Sequence, residues 1–321
     1  MLPCHGNPKI GDMAIDYVVP MIFPDDLKWR HDYATANGCF RDDRSALTNV
    51  RYRSWGTEHL LIQCVRKHLP WIRNVVILLA RKSQVQHWML DEIAATRNGM
   101  PHIRIVFHNE FMPKDVLPTF NSRAIEMYLH RIPDLAPCFL YGNDDMFPLA
   151  PMSEDDFFRD GSVLAGFASE ILPCLHYTHK TFDPSNTFHR ACMNGMNFVA
   201  ADFGLRYDNK WLHIGHNIVP ILKSTCERFW QQHPKEMQAS VSRFRMPHNF
   251  NQYIYSWWQI LSDQYVDHNP PRAYVSVTDA EDTIREAIRN ADGLLCVNDR
   301  NTDADITSLA AMVRHEIQKR L

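Results

Sequence analysis

The first half of the chain alternates between strand-like and helix-like segments, and this alternation strongly limits the folds that the chain can adopt. Asn74–Ala80 is a short run of β-branched and aliphatic residues, typical of a strand buried inside a parallel sheet. Ala14–Val19, Ile103–Phe107 and Phe139–Gly142 are further predicted strands. Because helix-like segments separate these strands, the order predicts an α/β fold, an open sheet with helices on its faces.

Three helices are predicted between the strands. Thr57–His68 has helical spacing of its apolar residues and ends before Pro70, since a residue preceding proline disfavours the helical conformation. A second helix contains Trp88, and a third spans Ser122–Ile132 with an apolar stripe along one side.

The second half is predicted to be mainly helical. Thr278 and Glu281 have the spacing of a capping box at the start of a helix, and Leu294–Val297 is a predicted strand. A final amphipathic helix is indicated by the apolar residues Ile306, Leu309, Val313 and Ile317. Since no repeat, low-complexity tract or charge block marks a linker, we predict one domain over 1–321, with an α/β half at 1–160 and a mainly helical half at 161–321.

The overall charge and the apolar runs exclude several classes of protein. The 34 basic and 37 acidic side chains give a net charge of -3, which argues against nucleic acid as an electrostatic partner. The longest clean apolar run, Val75–Ala80, is far below the roughly 20 residues that span a bilayer. The first residues lack a basic region followed by an apolar one, and none of the eight cysteines forms a Cys-x-x-Cys pair. We therefore expect a cytoplasmic protein with reduced cysteines.

An acidic motif follows the fourth predicted strand. Asn143, Asp144 and Asp145 come directly after Phe139–Gly142, and ligands of open α/β sheets bind at the carboxyl ends of strands. Two adjacent carboxylates repel each other unless a cation or a proton compensates them, which suits the hard cation Mg²⁺. A simple turn is the alternative interpretation, since Asn and Asp favour turns.

Other polar residues have both a chemical and a structural interpretation. Glu126 and His130 are four residues apart, so on a helix they share one face and can orient an imidazole or simply form an exposed pair. His213 and His216 lie around Gly215, where either can act as a general base or have a structural role.

Several common site patterns are incomplete or missing. Cys174–His179 resembles half of a zinc site, but no second pair with the required spacing completes it. The pair Trp257 and Trp258 fits a hydrophobic core better than a sugar-binding platform. The glycine-rich dinucleotide motif, the P-loop and the Gly-x-Ser-x-Gly elbow are absent from the sequence.

Several segments together resemble a known family. The second conserved region of the Stealth family is closely similar to Leu117–Glu126, Leu129–Pro133 and Tyr141–Phe147, and its start is similar to Arg51–Ser54 and Leu69–Arg73. Later regions of the family are similar to His216–Ser224, Phe244–Arg245, Asn251–Gln252 and Cys296–Asp299. Members are hexose-1-phosphate transferases, namely bacterial capsular polysaccharide phosphotransferases and the lysosomal-enzyme N-acetylglucosamine-1-phosphotransferase.

The resemblance implies a catalytic domain with a nucleotide-sugar-transferase-like sheet. It would transfer a hexose-1-phosphate from a UDP-hexose to a sugar hydroxyl in capsular polysaccharide or exopolysaccharide synthesis, forming a phosphodiester and releasing UMP. Asp144 and Asp145 would hold Mg²⁺ or another divalent cation. His216 is the preferred candidate for the base, with Glu126 as the competing candidate, and Arg245 would bind the diphosphate.

The resemblance also implies further contacts and partners. The residues expected to bind the donor are Asp16, Arg51, Arg53, Asn121, Asn143 and Lys223. The expected partners are a UDP-hexose and a glycan acceptor, without nucleic acid. Peripheral association with the inner membrane face or with capsule-assembly proteins is a further option, because the last helix carries Lys319 and Arg320.

One segment departs from the family pattern and keeps two alternatives open. Ile15–Asp16 and Val18–Pro20 are similar to the opening strand of the family, but Met21–Pro24 stand where the family usually has Trp-Val-Asp-Gly. One alternative is a metal-dependent glycosyltransferase, which would release UDP. The other is a catalytically degenerate family member that binds polysaccharide.

Overall fold

The computed structural model contains three β-sheets with helices packed around them. The residues that the structure describes are 14–38, 52–159, 163–166, 187–206, 212, 214–262, 264–267, 270–299 and 304–321. Arg51, His213 and the segment Cys174–His179, all singled out from the sequence, lie outside these residues.

The strands and helices are numbered in chain order. The strands are β1 (Ile15–Pro20), β2 (Asn74–Leu79), β3 (His102–Phe107), β4 (Cys138–Tyr141), β5 (Met146–Pro148), β6 (Phe158–Arg159), β7 (Val163–Gly166), β8 (Val219–Leu222), β9 (Tyr265–Asp267), β10 (Arg272–Ser276) and β11 (Leu294–Asn298). The helices are α1 (Leu27–Gly38), α2 (Glu58–His68), α3 (His87–Ala94), α4 (His108–Phe111), α5 (Ser122–Met127), α6 (Thr187–Ala201), α7 (Lys223–Gln232), α8 (Pro234–Ala239), α9 (Tyr253–Leu261), α10 (Glu281–Asn290) and α11 (Thr307–Gln318).

The main sheet has five strands in the order β3-β2-β1-β4-β8. The first four are parallel to one another, and β8 is antiparallel to β4. In β2, residues Val75–Leu79 are fully buried, as expected for a strand covered on both faces. The α/β prediction is confirmed, and the residues that follow β1 and β4 gather at the same edge of the sheet.

A second sheet meets the first at the acidic motif. It has the order β10-β11-β5, with β10 and β11 parallel and β5 antiparallel to β11. A third sheet has the order β6-β7-β9. Because β4 belongs to the first sheet and β5 to the second, Gly142–Asp145 connects two sheets directly. The acidic motif is therefore held from both sides.

Two local predictions are wrong. The helix expected over Ser122–Ile132 ends at Met127, and a separate 3-10 turn follows at Leu129–Arg131. The capping box does not form, because the Oγ1 of Thr278 bonds the Oγ of Ser276 at 3.0 Å. The hydroxyl of Thr278 is therefore bonded within the turn that precedes the helix. α10 begins at Glu281, after Ala280.

The second half is mainly helical, as predicted, but it also supplies strands. β8 contains Pro220 and lies at the edge of the first sheet, where a missing N–H is tolerated. β10 and β11 form most of the second sheet. Buried residues of both halves belong to one hydrophobic cluster, which includes Val18, Tyr255 and Val313.

The last helix packs into the protein rather than presenting an apolar face. Its residues Val313 and Ile317 are buried, and α11 contacts α10 and α2. The guanidinium of Arg320 donates to the carbonyl oxygens of Leu149 at 2.8 Å and Arg289 at 2.7 Å. Among the helices that the structure describes, none combines the length and the apolar character needed to cross a membrane.

A buried carboxylate between α10 and α11 gives the fold a specific acid sensitivity. Glu316 is 1% exposed and lies within 3.4 Å of basic groups on Arg285, Arg289 and Lys319. The hydrogen bond from Arg289 contributes most to lowering the pKa of Glu316 from 4.5 to about 2. A carboxyl group with a lowered folded-state pKa stabilises the fold above its unfolded-state pKa, and this contribution is lost as the pH falls towards the folded-state value.

We therefore expect Glu316→Gln to remove part of the loss of stability that the wild type shows between pH 5 and pH 2. Urea unfolding at a series of pH values measures this. Glu281→Gln is the matched control, because Glu281 also pairs with Arg285 but is 52% exposed. Equal pH dependence in the wild type and in Glu316→Gln would contradict the prediction.

Candidate active site

A cleft opens at the edge of the main sheet where its parallel strands end. Its volume is ≈ 1020 Å³, and its walls include Met21 after β1, Asn143–Asp145 after β4, and Asn298–Asp299 at the end of β11. Ligands of open α/β sheets bind at this edge. The predicted catalytic residues Asp144, Asp145, His216 and Arg245 all line this cleft.

The acidic turn is tightly fixed. The carbonyl oxygen of Asp145 accepts from the N–H of Val297 at 2.9 Å, and its Oδ2 accepts from the amide of Asn298 at 3.0 Å. Gly142 is needed at the start of the turn, because a Cβ there would lie 2.5 Å from the hydroxyl of Tyr17. The carboxylates thus have a fixed position between the two sheets.

The charges around Asp144 are poorly compensated. Burial and nearby negative charges raise the pKa of Asp144 to about 8. Burial contributes most, and the charges are those of Asp145, Glu58 and Asp299. The Oδ1 of Asp145 is buried and has no hydrogen-bond partner among the described residues. Clustered carboxylates with an unsatisfied oxygen are the chemistry that a hard divalent cation compensates. Asp144 and Asp145 therefore fit the predicted cation.

A different set of potential ligands overlaps this one. Ligand atoms of Asp145, His216 and Cys296 all lie within 4.8 Å of one another. Such a mixed set suits a softer metal such as zinc, for which a cysteine ligand binds as the thiolate. Burial raises the pKa of the Cys296 thiol well above its ordinary value, so the thiolate is disfavoured there. The two ligand sets share Asp145.

His216 faces the acidic turn. Its Nε2 lies 3.9 Å from the Oδ2 of Asp145, and its Nδ1 lies 3.1 Å from the hydroxyl of Tyr253. Burial lowers the pKa of His216, Asp145 opposes this shift, and Arg245 adds to it. A neutral imidazole whose Nδ1–H donates to Tyr253 keeps a lone pair on Nε2, as a general base requires.

Arg245 also lines the cleft, and its guanidinium is only partly satisfied by hydrogen bonds. Its Nη2 donates to the Oγ of Ser122 at 2.8 Å, while its buried Nε has no partner in the part of the chain that the structure describes. Asn121, a predicted donor contact, lines the cleft, but its amide donates to the carbonyl oxygens of Ser242 and Phe244 at 3.0 and 3.1 Å. Asn121 thus holds the segment that positions Arg245.

Arg53, a predicted donor contact, lines the cleft, but a carboxylate already binds it. Its Nε and Nη2 each donate to Asp299 at 2.6 Å, and the indole N–H of Trp55 donates to the same carboxylate at 3.1 Å. No local sequence pattern predicts a role for Asp299 or Glu58. Asp299 belongs to the segment similar to the fourth family region, which is a usable signal, whereas nothing in the sequence around Glu58 indicates its proximity to Asp144.

Asp16 and Lys223, two predicted donor contacts, are not among the residues that line the cleft. Asp16 lies at the beginning of β1, where its carboxylate accepts from Arg73 at 2.6 Å, from Asn74 at 2.9 Å and from the N–H of Ala136 at 2.8 Å. Lys223 follows β8, whose last residue pairs with the first residue of β4. Both residues therefore lie at the end of the main sheet where the parallel strands begin, whereas the cleft lies where these strands end.

Glu126 is buried behind the cleft. Its Oε2 accepts from the N–H of Gln252 at 2.9 Å, and its Oε1 lies 3.4 Å from the hydroxyl of Tyr141. Burial raises the pKa of Glu126, and Arg245 and Arg123 act in the opposite direction. The end of α5 separates it from His130, whose ring packs against Trp230 at 5.9 Å. The pair of Glu126 and His130 is therefore not formed, and Glu126 instead contacts residues of the protein interior.

This placement makes Glu126 testable as a positioning residue. We expect Glu126→Ala to lower the free energy of unfolding by about 1–3 kcal/mol, because it leaves the N–H of Gln252 without an acceptor. Glu126→Gln keeps an acceptor oxygen and is expected to lose less. Urea denaturation measures both. If Glu126 were the base instead, Glu126→Gln would abolish activity although the protein stays folded.

Comparisons with known proteins identify similar chains of one kind. Residues 51–165 match the family model described as Stealth protein CR2, conserved region 2. The chain is 30% identical over 277 residues to the receptor polysaccharide phosphotransferase WefC of Streptococcus gordonii, covering 80% of each chain. It is 29% identical over 279 residues to the capsular polysaccharide phosphotransferase WcwK of Streptococcus pneumoniae, covering 80% of this chain and 81% of that protein. It is also 30% identical over 244 residues to the capsular polysaccharide phosphotransferase LcbA of Aeromonas hydrophila, covering 75% of this chain and 63% of that protein.

Proposed function

The chain belongs to the Stealth family, and on this basis we propose that it is a sugar-1-phosphate transferase of capsular polysaccharide or exopolysaccharide synthesis. The donor is a UDP-hexose and the acceptor is a hydroxyl group of a glycan. The observation that carries the proposal is the convergence of Asp144, Asp145, His216 and Arg245 on one cleft. The names of the relatives support phosphotransfer as the reaction class.

The proposed step is an attack of the acceptor oxygen on the sugar-proximal phosphorus. A new P–O bond forms to the acceptor, the P–O bond to the UMP group breaks, and the hydroxyl proton passes to the Nε2 of His216. The guanidinium of Arg245 binds oxygens of the diphosphate, for which its planar set of donors is suited. Its unsatisfied Nε supports this role.

Asp144 and Asp145 would hold the divalent cation. When bound, Mg²⁺ neutralises charge on phosphate oxygens of the donor and of the transition state. Around it, Asn298 fixes one oxygen of Asp145, and Asn121 and Ser122 fix the segment and the side chain of Arg245. These contacts keep the charged groups in place before the substrate arrives, which is how electrostatic catalysis avoids reorganisation.

The leaving nucleotide tests the proposal. The protein is incubated with UDP-hexoses, Mg²⁺ and oligosaccharide acceptors, and the released nucleotide is identified by chromatography. UMP is the expected product. UDP would contradict the proposal and indicate a metal-dependent glycosyltransferase. Glycan binding without the release of any nucleotide would indicate a degenerate member.

A cytoplasmic location is part of the same proposal. So is peripheral contact with the inner membrane face or with capsule-assembly proteins. Fractionation of cells that express the full chain tests these points, and recovery outside the cytoplasmic and inner-membrane fractions would contradict them.

A further inference from the structure

Two exposed aromatic rings stand beside His216. Phe188 on α6 is 37% exposed, and Tyr274 on β10 is 42% exposed. Their ring centroids lie 6.4 Å and 6.3 Å from that of His216, and both rings are steeply tilted to the imidazole, by 80° and 70°. Both also line the cleft. Exposed apolar surface around a polar site is typical of ligand binding.

The two rings are attached to the elements that hold His216. Phe188 packs edge-on against Tyr253 at 6.3 Å, and Tyr253 is the residue whose hydroxyl bonds the Nδ1 of His216. On the other side, the amide of Asn217 donates to the carbonyl oxygen of Ala273 at 3.3 Å, which ties β10 to the segment after His216. The positions of the rings and of the imidazole are therefore coupled.

A third side chain adds polarity to this wall of the cleft. Arg272 precedes Tyr274 by two residues, so the two side chains point to the same face of β10. The guanidinium of Arg272 lies across Gly215, where a Cβ would come within 2.6 Å of its Nη1. The wall thus combines aromatic faces with hydrogen-bond donors.

We propose that Phe188 and Tyr274 form the acceptor subsite, in which the C–H face of a pyranose ring packs on an aromatic ring and Arg272 bonds sugar hydroxyls. This inference rests on the proposed function, because the base must lie next to the acceptor hydroxyl from which it takes the proton. Sugar C–H groups carry partial positive charge and the faces of aromatic rings are negative, so the two attract while apolar surface is buried. The acceptor class is therefore a pyranose-containing glycan.

Steady-state kinetics with the full chain test the subsite. We expect Phe188→Ala and Tyr274→Ala each to raise the KM for the oligosaccharide acceptor about tenfold, with a much smaller change in the KM for the UDP-hexose. Tyr274→Phe keeps the ring and is expected to stay within about twofold of the wild type, because stacking needs only the ring. Leu205→Ala is the matched control, since Leu205 is 42% exposed but does not line the cleft.

A binding measurement makes the test independent of turnover. Saturation-transfer NMR is recorded without donor on a fixed panel of methyl hexopyranosides, maltotriose and chitotriose. Signals with the wild type that disappear in the Phe188→Ala, Tyr274→Ala double variant support the subsite. Unchanged signals in the double variant, or no signal from the panel with the wild type, overturn it. Release of UDP instead of UMP would contradict the proposed function, whereas UMP release with unchanged acceptor KM values would contradict only the subsite.

Discussion

Replacing His216 with alanine is expected to lower kcat by about 10²–10⁴-fold, the usual contribution of a general base. The reason is the position of its Nε2, which faces the acidic turn while Tyr253 holds its Nδ1. Because the imidazole is proposed to take a proton rather than to bind the donor, the KM for the UDP-hexose should change little. Initial rates at saturating donor and acceptor measure the effect.

Other histidines provide the control for His216→Ala and the alternative candidates for the base. His87→Ala is the matched control, because His87 is exposed and does not line the cleft. Added imidazole is expected to restore part of the activity of His216→Ala by occupying the space left by the side chain. If His216→Ala retained the kcat of the wild type, the base would have to be sought in His108 or His189, which also line the cleft.

Replacing Asp144 or Asp145 with asparagine is expected to lower kcat by about 10³-fold, because a catalytic cation contributes several kcal/mol of charge stabilisation. The variants should also change the response of stability to the ion. The wild type is expected to gain thermal stability on addition of Mg²⁺, since a ligand that binds only the folded state stabilises it. Asp145→Asn should lose most of this gain, which thermal unfolding with and without Mg²⁺ measures.

The metal-free protein provides a second readout. Asp144→Asn removes one of several crowded carboxylates, so without Mg²⁺ it should unfold at a higher temperature than the wild type. Asp91→Asn on α3 is the control, because Asp91 is exposed and outside the cleft. An equal Mg²⁺ effect in the wild type and both site variants would contradict the assignment of the cation to this turn.

The parallel strands and the acidic site could be predicted because local pattern and strand direction agree there. The β-branched run Asn74–Ala80 identifies a buried strand, and the position of Asp144 and Asp145 after β4 places them at the ligand-binding edge. The same argument places Asp16 near the beginning of β1, away from the strand ends where ligands bind. The resemblance favoured Asp16 as a donor contact, and the structure places it outside the lining of the cleft.

Other features depend on contacts that no local pattern contains. The end of α5 at Met127 and the burial of Glu126 follow from packing against residues near Gln252, more than a hundred positions later. Phe188 and Tyr274 are separated by most of the second half, so their shared position beside His216 arises only from the fold. Asp299 is likewise brought to the site only by the fold.

The connection between the two sheets also determines how late in synthesis the supported acidic turn can form. The four parallel strands are complete once Tyr141 has been synthesised, but Asp145 is held by Val297 and Asn298 of β11. During translation, the nascent chain therefore carries its acidic residues for about half of its length before their supporting strand emerges from the ribosome. A chain that ends before β11 therefore lacks the residues that bond both the main chain and the carboxylate of Asp145.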